Sequence, residues 1–176
     1  VFVAVNVSSA QLIDTTIIDD IKQVLHREGV HRQSLKIEIT ESLMMTSDET
    51  VMDKLAAFQN AGIKISLDDF GTGYSSLSYL RKFNLDYLKI DQSFVHNLEQ
   101  DSANCALCEA IIVMAHKLGL KVIAEGIETP GQRDMLAGAG CDYGQGYLFG
   151  QPIPAEEFEL LLKNMPPQIA DQPVHA

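Results

Sequence analysis

The stretch Leu67 to Leu77 reads LDDFGTGYSSL, and its adjacent carboxylates, Asp68 and Asp69, close the apolar run IKISL. Neighbouring like charges repel, and taking them out of water costs several kcal/mol unless a cation neutralises them. Adjacent aspartates suit a pair of divalent ions about 3.5–4 Å apart, an arrangement that serves in-line displacement at phosphorus. Other polar residues stand in equivalent places. Asn6, Glu38, Lys89, Glu125 and Gln145 each lie at or just after the end of a short apolar run. No cysteine or histidine does, since His26, His31, His96 and His116 fall on expected helices or loops. An all-oxygen donor set of this kind favours Mg²⁺ or Mn²⁺, two ions of either, over zinc. Lys89, in YLKID, could be a Schiff-base lysine as in an aldolase barrel. Amid four carboxylates it is expected to stay protonated and to orient water or phosphate instead. Glu41, just past its strand, reads either as a first-turn helix acid or as part of the site.

The elements that must position these residues follow from the pattern of apolar residues. Short β-rich runs, VFVAV (1–5), LKIEI (35–39), IKISL (63–67), LDYLKI (85–90), KVIA (121–124) and a weaker YGQGYLF (143–149), alternate with stretches of helical period. Helical stripes are expected at Ile17, Ile21, Val24 and Leu25, at Val51, Leu55 and Phe58, and at Leu107, Ile111, Met114, Ala115 and Leu118. Thr46 with Glu49 and Thr129 with Gln132 have capping-box spacing, Pro130 suits a first helical position, and Gly29, Gly62 and Gly119 sit where helices should stop. Strand alternating with helix implies a parallel sheet. Polar residues recurring at its carboxyl ends every ~20–36 residues suit a (β/α)8 TIM-like barrel, whose active site lies on that face. Such a barrel has eight strands in typically ~250 residues. About six βα units are countable here, so the expectation is a domain over 1–164 whose first strands lie upstream. Pro154 to Lys163 should form a closing helix, and 165–176 a disordered tail.

Composition narrows the function classes. The 176 residues hold 24 acids against 13 bases, for a net charge of −11, with no basic stripe. Binding along a nucleic-acid polymer is therefore not expected, and an anionic ligand would need metal ions to bridge it to this surface. Cys105, Cys108 and Cys141 form no secreted framework and fit a reducing, cytoplasmic compartment. The C-x-x-C pair Cys105 and Cys108 falls inside an expected helix, which favours packing over redox or metal use. No run approaches the ~18 apolar residues of a membrane span.

The stretches NVS (6–8), EITES (38–42), DDFGTGYSSL (68–77), LKID (88–91), AEGIET (124–129) and GCDYGQGYLFGQPIP (140–154) resemble the EAL domain, the bacterial cyclic di-GMP phosphodiesterase. The resemblance runs in order from about residue 1 to 163. It implies that Asn6, Glu38, Asp68 and Asp69 bind the two metals and that Lys89 holds the nucleophilic water. Glu125 would be general base or metal ligand. Gln145 would support the site, with Asp91 at the substrate or behind the ligands. Glu41 would pin the loop Phe70 to Ser76, which in the family couples metal binding to dimerisation, so a homodimer is implied. Gly71 and Gly73 permit that loop's sharp path. The resemblance also implies cyclic di-GMP as substrate and linear pGpG as product. In the family, sensor or diguanylate-cyclase domains, or a membrane anchor, often precede this one. The Glu-Ala-Leu motif and the nearby substrate arginine do not occur in these residues and are expected upstream. A receptor that binds cyclic di-GMP without cutting it is the competing reading, and such relatives usually lose strand-end acids.

Overall fold

The computed structural model describes residues 2–14, 16–44, 49–73, 80 and 83–164. Thr46 of the Thr46–Glu49 pair, loop residues 74–76 and the tail 165–176 lie outside these. Six parallel strands, β1 (Val3–Asn6), β2 (Leu35–Thr40), β3 (Lys64–Phe70), β4 (Tyr87–Ile90), β5 (Lys121–Ala124) and β6 (Tyr143–Gly144), pair in chain order. Helices α1 (Ser9–Ile13) and α2 (Ile17–Arg27) follow β1, α3 (Glu41–Met44) and α4 (Glu49–Asn60) follow β2, and α5 (Gln92–His96) and α6 (Ser102–Lys117) follow β4. Helices α7 (Pro130–Gly138) and α8 (Ala155–Asn164) follow β5 and β6. The sheet curls into part of a TIM-like barrel, as the alternation of runs requires.

Period-two alternation divides each strand. Ile37, Ile39, Ile65, Leu67, Leu88, Ile90 and Val122 are buried in one core with Val51, Leu55 and Phe58 of α4 and with Ile112 and Ala115 of α6. The intervening residues, Lys36, Glu38, Ser66, Asp68 and Lys89, are polar and also buried. Two of the expected stripes shift. Leu107 and Val24 are exposed, and α6 instead buries Cys108, Ile111, Ile112 and Ala115, the i, i+3, i+4, i+7 set one residue on. Cys108 is a free thiol whose pKa burial pushes up to about 11, which suits packing and not redox work. The Thr129–Gln132 capping box and the N-terminal proline of α7 form as their spacing requires.

Two carboxylates fasten the amino-terminal ends of the strands in the same way. Asp86, just before β4, takes Lys64 Nζ at 2.5 Å and the Ile65 N–H at 2.9 Å. Asp142, just before β6, takes Lys121 Nζ at 2.6 Å and the Val122 N–H at 2.9 Å, with His116 Nε2 2.7 Å away. Between these fasteners and the carboxyl ends sits Lys36, whose ammonium lies 3.9 Å from the Phe2 ring centroid and 3.5 Å from that of Tyr87. Burial pulls its pKa down to about 8. Among the described residues β1 pairs only with β2 and β6 only with β5. Phe2, Val3 and Val5 are exposed at one edge, and Tyr147, Phe149 and residues Phe158, Leu160 and Leu161 of α8 near the other. No described helix is long and apolar enough to cross a membrane.

Candidate active site

The paired aspartates lie inside β3, which continues to Phe70, three residues past the apolar run IKISL. In a regular strand neighbouring side chains point to opposite faces, so Asp68 and Asp69 could not both serve one site. The β3–β4 register shifts between Leu67 and Phe70, and Asp69 has a positive φ of 56°, the only non-glycine residue described with one. This irregularity turns the second carboxylate back. Asp68, Asp69 and Glu125 offer oxygens that all lie within 4.8 Å of one another. The left-handed backbone costs a non-glycine residue about 1–2 kcal/mol, least for Asp or Asn, so it persists where surrounding structure imposes it.

Lys89 is the cation at the centre. Its buried ammonium lies 2.9 Å from Glu38 Oε2, 2.9 Å from Asp68 Oδ1 and 2.6 Å from Glu125 Oε1. Burial works against its charge, but hydrogen bonds to Glu125, Glu38 and Asp68 outweigh that and hold the pKa above its ordinary value. Charge balance is nevertheless incomplete. Burial first, and then the charges of Asp68 and Asp91, raise the carboxyl pKa of Asp69, with Lys89 opposing. Burial also raises that of Glu125 against the pull of Lys89. One ammonium among Glu38, Asp68, Asp69, Asp91 and Glu125 leaves a strongly negative, oxygen-lined site that fits hard divalent cations.

The remaining expected residues divide into two groups. Asp69, Asp91, Glu125 and Gln145 line a cavity of about 460 Å³ together with Gln92, Gly126, Glu128 and Tyr147. Asp91 also caps α5, accepting the Ser93 N–H at 2.9 Å. Asn6 ends β1 in register with Glu38 and is exposed. Glu41 is not among the residues that line this cavity. It is buried at the start of α3, and its Oε2 accepts the Gly71 N–H at 3.2 Å, which pins the first residues of the loop after β3. A Cβ on Gly73 would lie 2.9 Å from Glu41 Oε1, so the backbone passes close over the carboxylate. Glu128 and Tyr147 were not anticipated. Their signal was their place within AEGIET and QGYLF, beside residues already singled out.

Residues 1–152 match the EAL domain family, and the chain belongs to it. It is 40% identical over 161 residues to the cyclic di-GMP phosphodiesterase NbdA of Pseudomonas aeruginosa, covering 92% of this chain and 21% of that protein. Its fold superposes with a TM-score of 0.83 on the MucR phosphodiesterase of P. aeruginosa in complex with c-di-GMP, at 39% identity, covering 89% of this chain and 64% of that one. Against Klebsiella pneumoniae BlrP1 in a manganese and cy-diGMP complex the TM-score is 0.81, at 30% identity, covering 86% and 39%. The chain spans about a fifth of the length of the curated relatives it matches.

Proposed function

We propose that these residues form the metal-binding and water-activating part of a cyclic di-GMP phosphodiesterase that opens the cyclic dinucleotide to linear pGpG. The observation that carries this reading is the convergence of Asp68, Asp69 and Glu125, which needs the irregularity in β3. Asn6, Glu38, Asp68, Asp69 and Glu125 would hold two Mg²⁺ or Mn²⁺ ions. When bound, such ions supply a nucleophile at neutral pH and offset the charge of the phosphodiester oxygens. Lys89 stays protonated and directs its ammonium at Glu125, Glu38 and Asp68, so it can hold an attacking water or a phosphate oxygen without acting as a base. Glu125, with its raised pKa, is suited to receive the water's proton as the phosphorus–oxygen bond to the ribose breaks. Asp91 and Gln145 line the same cavity and would contact the nucleotide. Assembly as a homodimer belongs to the same reading, through the loop that Glu41 pins.

The test is chromatography of pGpG released from cyclic di-GMP by the protein that carries these residues. Mg²⁺ or Mn²⁺ should support turnover, and Ca²⁺ should inhibit because its longer, looser coordination misplaces the nucleophile. Full turnover in excess chelator overturns the two-metal assignment. Tight binding with no pGpG formed would make the chain a receptor.

A further inference from the structure

Glu125 lies one residue beyond the end of β5, so the β ladder alone does not fix its side chain. Its own N–H still donates to Ile90 O at 3.1 Å, but the next three residues leave the sheet. On the β6 side the Ile127 N–H donates to Gln145 O at 3.0 Å. On the β4 side the ties are side chains, that of Gln132 on α7 and that of Glu99, just past α5, which accepts the Thr129 hydroxyl. Gln132 is 4% exposed, and both ends of its amide are engaged with backbone. Its Oε1 accepts the N–H groups of Glu128 at 2.7 Å and Thr129 at 3.0 Å. Its Nε2 donates to His96 O, at 3.1 Å, at the last residue of α5. Helix α5 starts directly after Asp91, two residues past Lys89. Gly126 lies against that helix so closely that a Cβ there would stand 2.6 Å from Gln92 Cβ.

We infer that Gln132 is a positioning residue for the metal site: its amide holds the loop carrying Glu125 against α5 and so sets Glu125 relative to Lys89. An ordinary capping box needs only the contacts within its own first turn. The bond to His96 is additional, and it reaches the element that leads out of the lysine strand. Groups standing behind a ligand in this way typically change metal affinity or activity 10–100-fold when removed. The inference rests on the metal reading above.

The experiment compares the protein that carries these residues with its Gln132→Ala and Leu136→Ala variants, the second a core deletion on the same helix. Mn²⁺ affinity is read by calorimetry, and the nuclear Overhauser contacts between the Lys89 and Glu125 side chains by NMR. Gln132→Ala is expected to weaken Mn²⁺ binding about 10–100-fold and to lose those contacts. Leu136→Ala is expected to lower the melting temperature while keeping both. If Gln132→Ala keeps the affinity and the contacts, or if Leu136→Ala loses them equally, the positioning role is wrong. If the unsubstituted protein that carries these residues binds no Mn²⁺, the metal reading fails, and the Lys89–Glu125 contacts alone decide for or against Gln132.

Discussion

Lys89 on β4 reaches Glu38 on β2, at 2.9 Å, across the intervening strand β3. Two strands that share no ladder are thus joined by a buried charge pair, which is possible because the sheet curls and because both residues face its concave side. Removing the lysine would leave Glu38, Asp68 and Glu125 facing one another without their cation. Breaking a buried pair from one side costs about 3–5 kcal/mol. Lys89→Met should therefore lower metal-free stability by about that amount in urea titrations, and Mn²⁺ should restore part of it. Unchanged stability would mean that the ammonium does not balance these carboxylates.

The irregular backbone at Asp69 allows the carboxylates to be removed without disturbing the fold, since asparagine tolerates the left-handed region. Asp68→Asn and Asp69→Asn should each lower kcat by several orders of magnitude. Glu125→Gln should lower it about 10²–10⁴-fold, the range for a lost general base, with nucleotide binding largely kept. Circular dichroism should be unchanged in all three. Near-normal rates would place the site elsewhere.

Asp142 gives a pH-dependent test remote from the carboxylate cluster. Burial would raise its pKa, but hydrogen bonds from Lys121, the Val122 N–H and His116 outweigh that and hold it below the ordinary value. A depressed folded-state pKa contributes stability that is present above the unfolded value and lost as pH falls through the folded one. Hydrogen bonds to a charged group are worth about 1.5–3 kcal/mol. Asp142→Asn should therefore cost on the order of 1–3 kcal/mol at neutral pH, with the difference closing below about pH 4. A pH-independent difference between the two proteins would rule out the charge as its source.

The apolar edges give a prediction about association. Val3 is 57% exposed and Val5 45%, on a strand whose outer side pairs with nothing described. Exposed strand edges with apolar side chains recruit other chains. Light scattering of these 176 residues alone should show dimers or larger species. Lys substituted at both valines should shift the population toward monomer. A monodisperse unsubstituted monomer would contradict this.

Much of the site was legible because a polar residue closing an apolar run is costly unless it has a purpose. Glu38, Asp68, Lys89 and Glu125 stood out on that ground, and the three carboxylates converge on the one ammonium. The alternation of runs likewise carried the parallel strand order. What stayed hidden depends on contacts between distant segments. Asp68 and Asp69 looked like equal neighbours, yet only a register shift against β4 lets them share a site. Lys36 passed as one polar residue of a strand, although it is buried between Phe2 and Tyr87. Gln132 was visible as a cap, but its bond to His96 depends on where α5 packs.

The matching fasteners at Asp86 and Asp142 bear on the order in which the chain assembles. Lys64 and Asp86 are 22 residues apart, and Lys121 and Asp142 are 21, each about one strand-helix unit. Lys89 and Glu38 are 51 residues apart. Loop closure grows costlier only slowly with length, about 0.6 kcal/mol per doubling, but the longer contact also requires three strands already in register. Short-range contacts of this kind favour rapid folding. The expected order is that adjacent strand pairs lock their register first and the carboxylate cluster closes last. Asp86→Asn and Asp142→Asn should then chiefly slow refolding, whereas Lys89→Met should chiefly speed unfolding, a division that stopped-flow kinetics on the three variants would resolve. In that order the chain holds its strands before its chemistry, and the repulsion among the acids is met only once a framework exists to bear it.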